Sequence, residues 1–387
     1  MVSLRTQWRT AAERVDAATP ADRERVVDGL RALAILGIVV GHWLVTAVAM
    51  DGGISTPLAA LPEGAPISWV LQTLGVFFFV GGWVNSRGVL SAEERGTWYG
   101  EWLAARLRRL ARPVLVLAVV WVPVLLVLSV LGSAWLGVLS PWVGTIVWVL
   151  GTPLWFLVVY AVLTMLTPLA VGLDRRFGAW SALGPLGVVL FADLVRFGVG
   201  WEGPQLFVLS VLGGWFVGYQ LGVARGRGGL AGTRIALWLI GAGVVGMAVL
   251  ILLFNYPASA VGVTGLGRSN LNPPSLIVPA LTAVQVGLVV LLWNHLARLL
   301  RRPGAWLATV VLNRNIMTVF LWHQAAMIVV TALLLPFGPV PGLHTSPDDW
   351  GWVLARLPWL VVFAVVLAAM TVAVGRFERP AEQPSQR

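Results

Sequence analysis

The chain has 387 residues, of which 58% are hydrophobic and 11% charged, and its mean hydropathy is +0.83. This composition excludes a soluble globular protein of this length and indicates a polytopic membrane protein in a lipid bilayer. The net charge of +10 does not indicate a nucleic-acid partner, because all 27 basic residues are arginines that lie mostly between apolar runs. The chain has no cysteine, which excludes disulfides and thiolate sites, and we expect no metal.

The N-terminal segment, residues 1–27, is polar and rich in arginine. It has no apolar core with a cleavage site, so we expect no removed signal peptide. We predict instead that it is a mobile cytoplasmic tail. Asp28 is predicted to cap the first membrane span.

Ten apolar runs then follow, separated by short polar or Gly/Pro-rich connections. We predict one membrane domain over residues 28–375 and a second cytoplasmic tail over 376–387. The fold class is all-α integral membrane, with about ten transmembrane helices in one bundle. The predicted spans are about 29–50, 67–87, 113–131, 154–173, 180–199, 205–223, 235–254, 275–296, 313–335 and 352–374.

The arginines also predict an orientation. With the N-terminus inside, the tails and the loops after even-numbered spans hold nearly all of them, and only Arg196, Arg268 and Arg356 fall in or near the outer half. This positive-inside pattern predicts that both termini are cytoplasmic and that the protein lies in the plasma (inner) membrane.

Arg31 and His42 are the first candidate functional residues. They are eleven residues apart, so on a helix their side chains lie within about 20° of each other and roughly 16 Å apart along the axis. An arginine near one membrane surface and a histidine near the midplane indicate a functional site, because ionisable groups are costly in hydrocarbon. The alternatives are a buried imidazole bonded to a neighbouring helix and an arginine that only sets topology.

Four arginines precede Pro113 and form the second candidate: Arg106, Arg108, Arg109 and Arg112. The i,i+3 spacing of Arg106 with Arg109, and of Arg109 with Arg112, lets them share one face of a basic interfacial helix. Such a face can bind the phosphate groups of a lipid or of a nucleotide-like cofactor. A topology-setting basic cluster is an equally good interpretation of the spacing.

The ninth predicted span carries a second histidine, His323, about ten residues from its start. Its depth would be similar to that of His42, and two midplane histidines favour function over chance. A histidine in a partly dry site can act as a general base toward a hydroxyl. Asn315 and Thr318 on the same span are predicted to bond across helices.

Other polar residues have simpler interpretations. Asp193 and Arg196 are predicted to form an i,i+3 ion pair that lowers the cost of both charges. Trp155 and Tyr160 either anchor a helix at the interface or line a sugar-binding cleft. His344 has no predicted partner.

Several of these motifs resemble those of the membrane-bound acyltransferase 3 family. Residues 31–42 resemble its signature of arginine, ten residues and histidine, and residues 77–82 (Phe-Phe-Phe-Val-Gly-Gly) resemble its glycine turn in the second span. Residues 106–112 resemble its Arg-x-x-Arg motif before a proline. Residues 154–157 resemble the start of its fourth span, and 321–323 (Leu-Trp-His) a motif of its last spans. The motifs occur in the family's order.

The resemblance implies an acyltransferase whose donor substrate is cytoplasmic acyl-CoA, often acetyl-CoA. The acceptor would be a hydroxyl of a glycan, a lipid or a small molecule. By this analogy His42 is the catalytic base or a transient acyl carrier, and His323 completes the candidate catalytic residues. Arg31 and a pair from Arg106, Arg109 and Arg112 would meet the phosphates of coenzyme A.

The chain departs from the family where many relatives have a serine before the late histidine, since Asn315 and Thr318 stand in that stretch here. Another class of function is also open: midspan polar groups would suit a transporter or exporter of a polar or lipid-linked solute. A transporter has no need of a coenzyme A site. A purely structural membrane protein is a third possibility, which the ionisable midspan residues disfavour.

Overall fold

The computed structural model describes residues 4–134, 140–263 and 268–378, so the end of the predicted C-terminal tail lies outside the described residues. The described part is mainly α-helical and contains one short hairpin, of strands β1 (Ala47–Val48) and β2 (Ile54–Ser55). The helices are α1 Leu4–Ala17, α2 Arg25–Val45, α3 Ala65–Leu71, α4 Leu74–Glu94, α5 Tyr99–Ala134, α6 Ser140–Gly151, α7 Leu154–Met165, α8 Thr167–Phe177, α9 Leu183–Asp193, α10 Pro204–Gly226, α11 Thr233–Phe254, α12 Ile277–Leu300, α13 Pro303–Arg314, α14 Ile316–Leu334 and α15 Trp350–Glu378.

Ten helical segments of the described chain are long and apolar enough to cross a membrane, which confirms the predicted fold class. The first of them ends at Val45 rather than near residue 50, because the chain there turns into the β1–β2 hairpin. The segments are Arg25–Val45, Pro62–Glu94, Tyr99–Val130, Trp142–Met165, Thr167–Val199, Pro204–Gly226, Thr233–Phe254, Ile277–Leu300, Ile316–Phe337 and Trp350–Glu378.

The chain divides into two compact units. Unit 1 comprises Met1–Ile38, Pro62–Leu103 and Val158–Arg314. Unit 2 comprises Val39–Leu61, Ala104–Leu157 and Asn315–Arg387.

Helices α4 and α10 pack closely against each other in unit 1. A Cβ atom on Gly82 would lie 1.9 Å from the carbonyl oxygen of Tyr219, and one on Gly222 would lie 1.9 Å from that of Phe79. Only glycine allows the two backbones to approach this closely. The expectation of a glycine turn at residues 77–82 is wrong, because α4 continues through Gly82 without a break.

From Leu4 onward, the N-terminal segment is folded in unit 1. Residues Leu4–Ala17 form α1, which packs on α13. The Trp306 indole N–H donates to Thr19 Oγ1 over 2.7 Å, and the Arg25 guanidinium lies 4.8 Å from the centre of the Trp306 ring. The predicted mobility is therefore wrong for these residues, whereas the cytoplasmic location stays a prediction.

Asp28 is not a helix cap, because α2 begins at Arg25 and Asp28 lies in its first turn. Its carboxylate accepts a hydrogen bond from Arg23 over 2.6 Å, and its carbonyl accepts one from Asn313 over 2.8 Å. An acidic residue in a first turn still has a favourable interaction with the helix dipole.

In unit 2 the basic segment and the third span are one helix, α5, which continues through Pro113. The expectation of a separate interfacial helix before this span is wrong. Helix α14 packs against α15 and α6. The indole of Trp142 on α6 donates to the carbonyl of Met50 in the β1–β2 turn over 3.1 Å, which ties the hairpin to that helix.

Candidate active site

The two midspan histidines lie together in unit 2. His42 is in the last turn of α2, and His323 is about two turns into α14. Their ring centres are 5.2 Å apart with the planes at 80°. His323 is fully buried, whereas His42 is partly exposed. The sequence predicted both residues, and the structure adds that they form a pair.

Gln324 completes this pair. Its side-chain Nε2 lies 2.8 Å from His42 Nδ1, and no hydrogen-bond partner of its Oε1 is found among the described residues. In this orientation the amide donates to Nδ1, so a neutral His42 carries its proton on Nε2. A half-turn of the amide would reverse the tautomer and leave the Nε2 lone pair available as a base.

The tautomer of His323 follows from its partner. His323 Nδ1 lies 2.6 Å from the carbonyl oxygen of Phe320, and since a carbonyl can only accept, Nδ1 must donate. A neutral His323 therefore has its lone pair on Nε2. That nitrogen is buried and has no hydrogen-bond partner in the described part of the chain. The ring thus has an unused capacity to accept a proton or a hydrogen bond.

Aromatic side chains surround the pair. The Trp43 indole N–H donates to the carbonyl of His323 over 2.9 Å. The Phe320 ring centre is 6.0 Å from that of His323, and the Phe156 ring centre is 5.0 Å from that of Phe320. Phe156 belongs to the fourth-span motif of residues 154–157, and its ring forms part of an apolar wall beside the histidines. Such a wall excludes water and strengthens electrostatic interactions inside the site.

The predicted arginines lie elsewhere. In unit 1 the Arg31 guanidinium is 3.7 Å from the Asp28 carboxylate, one turn earlier on α2. In unit 2 Arg109 and Arg112 are exposed on α5, Arg106 is partly buried, and Arg112 Nε donates to the carbonyl of Phe377 on α15 over 3.2 Å. The predicted i,i+3 helical spacing is confirmed, whereas a role in binding coenzyme A stays a prediction.

Thr318 of the ninth span bonds across helices as predicted. The Thr318 hydroxyl donates to the Glu378 carboxylate, which joins α14 to the end of α15. This contact supports the structural interpretation of Thr318.

Asp193 and Arg196 form the predicted ion pair in unit 1, with 3.6 Å between Oδ1 and Nη1. The other carboxylate oxygen accepts hydrogen bonds from the Tyr256 hydroxyl over 3.0 Å and from the Leu276 backbone N–H over 2.8 Å. The pair therefore joins α9 to the segment before α12, which supports a structural role.

Tyr160 and His344 also have structural partners. The Tyr160 hydroxyl lies 3.4 Å from the Asn85 amide, in a buried polar cluster that includes Thr164 and Tyr219. This contact disfavours a sugar-binding cleft at Tyr160. His344 is buried, and its Nε2 donates to the carbonyl of Thr331 over 2.8 Å, which fastens the loop after α14.

Gln324 and Trp43 were not selected from the sequence, although each directly follows a candidate histidine. A polar or indole side chain next to an ionisable residue in an apolar run was the available signal. Its meaning depends on which helix lies opposite, which no local pattern specifies.

A comparison with known families places the chain in one of them. A family model described as an acyltransferase domain, that of the acyltransferase 3 family, matches residues 25–375. No curated protein and no solved structure matches the chain significantly. The match begins with α2, ends within α15 and includes both histidines. The chain therefore belongs to the acyltransferase 3 family and is a membrane acyltransferase.

Proposed function

We propose that this acyltransferase moves an acyl group, with acetyl as the first candidate, from cytoplasmic acyl-CoA to a hydroxyl of a glycan, a lipid or a small molecule. The observation that carries the proposal is the His42–His323 pair, with Gln324 at His42 Nδ1. A histidine within an apolar site can take a hydroxyl proton at neutral pH, which is the step that O-acylation needs.

In the general-base mechanism, His42 removes the proton from the acceptor hydroxyl as its oxygen attacks the thioester carbonyl. A C–O bond forms, the C–S bond breaks, and the coenzyme A thiolate leaves. The imidazolium then returns the proton to that sulfur, so the products are an ester and free coenzyme A. The partial exposure of His42 gives an acceptor access to it, whereas His323 is fully enclosed.

In the acyl-carrier mechanism, a His42 ring nitrogen attacks the thioester first and releases coenzyme A. The acceptor hydroxyl then attacks the acyl-imidazole and restores the ring. Either route places His42 at the reacting atoms. His323, with its unused Nε2, is proposed to assist the pair as a second proton acceptor.

The donor is proposed to bind at the basic face of α5. Arg109 and Arg112 are exposed there, and guanidinium groups bind phosphate oxygens by paired hydrogen bonds. Arg106 completes the proposed set on α5, and the contribution of Arg31 stays a prediction from the family resemblance. In the proposed orientation this face is cytoplasmic, both termini are cytoplasmic and the protein lies in the plasma membrane.

The test is release of free coenzyme A from acetyl-CoA by the purified protein in nanodiscs. The wild type is compared with His42→Ala and with His295→Ala, a matched control because His295 is an exposed histidine on α12. We expect turnover by the wild type and the control and its loss in His42→Ala.

Equal release by all three proteins would remove His42 from the chemistry. No release from acetyl-CoA or from a longer acyl-CoA, with no thermal stabilisation by either, would overturn the donor assignment. It would also favour the alternative of a transporter or exporter of a polar or lipid-linked solute.

A further inference from the structure

Arg356 on α15 is buried in unit 2 with 1% of its surface exposed. No carboxylate of the described residues lies within ion-pair distance of it. Its guanidinium donates instead to three backbone carbonyls: Nε to Trp43 over 2.8 Å, Nη1 to Gly342 over 2.8 Å and Nη2 to Thr46 over 2.9 Å. A buried cation without an acidic partner requires a specific reason.

The C-terminal end of α2 supplies that reason. The last carbonyls of a helix have no partner within the helix and carry the negative end of its dipole. Trp43 and Thr46 present two such carbonyls, and the planar fork of an arginine can serve both at once. The rings of Trp352 and Phe363, whose centres are 5.4 and 4.7 Å from the guanidinium carbon, add a favourable cation–π environment.

Trp43 connects this cap to the active site. Its carbonyl accepts from Arg356, and its indole N–H donates to the carbonyl of His323. It also directly follows His42 in α2. Arg356 Nη2 further contacts the sulfur of Met327, one turn beyond His323 on α14, at 3.1 Å. One guanidinium therefore touches the two helices that carry the histidines.

The loop at Gly342 can reach Arg356 only with glycine at that position. Its φ of +75° is unfavourable for other residues, and a Cβ there would lie 2.6 Å from the carbonyl carbon of Ala355. The loop backbone thus lies directly against α15 beside the arginine.

We propose that Arg356 is a positioning residue for acyl transfer, which holds the end of α2 and α14 in register so that His42, His323 and Gln324 keep their geometry. The proposal rests on the proposed function. In the proposed reaction Arg356 does not contact the reacting atoms, and it acts through Trp43.

The test compares the wild type with Arg356→Ala and Arg356→Lys in nanodiscs, by acetyl-CoA turnover with and without millimolar guanidinium. We expect Arg356→Ala to lower kcat about 100-fold with KM nearly unchanged, because a displacement of about 1 Å in a catalytic group has an effect of that size. Guanidinium should restore part of kcat, and Arg356→Lys should retain more activity than Arg356→Ala because it keeps the charge and donors.

Arg196→Ala is the matched control, since Arg196 is also about nine-tenths buried but lies in unit 1. Guanidinium should not raise its kcat. An unchanged kcat per folded molecule in Arg356→Ala, or a rescue that raises only the folded fraction, would overturn the proposal. If Arg356→Ala does not fold, Arg356→Lys replaces it in the test. A lowered kcat per folded molecule in Arg356→Lys then supports the proposal, and an unchanged one overturns it.

A second readout separates the two proposals. Diethylpyrocarbonate modifies accessible histidines, and peptide-resolved mass spectrometry gives a separate rate for His42 and for the exposed His295. Loss of Arg356 should raise the rate at His42 several-fold and leave His295 unchanged. A wild type that neither releases coenzyme A from acetyl-CoA or a longer acyl-CoA nor is stabilised by either refutes the proposed function. An unaltered His42 rate in Arg356→Ala refutes the positioning role.

Discussion

Each unit contains a pair of neighbouring ionisable residues, and the two pairs differ in whether their charges can neutralise each other. In unit 1 one oxygen of the Asp193 carboxylate accepts hydrogen bonds from the Tyr256 hydroxyl and from a backbone N–H. The other oxygen forms the ion pair with Arg196. In unit 2 His323 leaves its buried Nε2 without a hydrogen-bond partner among the described residues, beside the partly exposed His42.

The difference supports the proposal that the first pair is structural and the second reactive. Opposite charges neutralise each other at Asp193 and Arg196, and burial together with the Asp193 charge raises the pKa of the Tyr256 hydroxyl, which keeps it a donor. Two histidines cannot neutralise each other's charge, so their contact adds no electrostatic stabilisation to the fold. Ionisable groups within a membrane span that have no charge partner are candidates for a functional role.

The largest expected effect comes from the reactive pair. His42→Ala and His323→Ala should each lower turnover by about 10²- to 10⁴-fold, the usual contribution of a general base. If the histidines act as a unit, the double variant should lose no more than the more damaging single variant. A double-mutant cycle on kcat measures this, and additive losses would show that the histidines act separately.

Removal of Asp193 tests the structural pair. Asp193→Ala leaves Arg196 buried without its partner, which should lower the free energy of unfolding by about 3–5 kcal/mol. Turnover per folded molecule should stay within about twofold, because the pair is proposed to have no catalytic role. Thermal unfolding in nanodiscs measures the loss of stability, and acetyl-CoA turnover measures the activity per folded molecule. Asp193→Asn, which keeps an acceptor for Tyr256, should lose less stability.

Gln324→Leu should have a smaller effect on turnover. It removes the hydrogen bond to His42 Nδ1, and a net hydrogen bond of about 1.4 kcal/mol corresponds to about a tenfold change in rate. The matched control is Gln220→Leu in unit 1, where the amide donates to the Ala170 carbonyl and to Ser181. The control should lose stability and keep kcat. A Gln324→Leu protein with wild-type kcat would show that the amide does not orient His42.

The smallest effect is expected at the proposed donor face. Arg109→Ala and Arg112→Ala should each raise the KM for acetyl-CoA by about two- to fivefold with kcat unchanged, since exposed charge pairs contribute about 1 kcal/mol or less. The effect should shrink at high salt because of screening. Arg298→Ala, an exposed arginine at the end of α12, is the control and should leave KM unchanged.

Local sequence patterns determined much of the fold. Apolar runs of membrane-spanning length predicted ten spans, since backbone polar groups in lipid must bond within a helix. The patterns failed where a neighbour decided the local structure. Residues 4–17 look like a polar tail, but α1 is stabilised by packing on α13, and the glycines of residues 77–82 serve the approach of α10 rather than a turn.

The sequence by itself also selected the two histidines of the candidate site, because His42 and His323 are ionisable side chains in runs where burial of such groups is costly. It did not show that they pair. Gln324 is 282 residues from His42, and Arg356 is 313 residues from Trp43. Only the tertiary structure brings these residues into contact, because helical periodicity tells which face a side chain occupies and not which helix packs against that face.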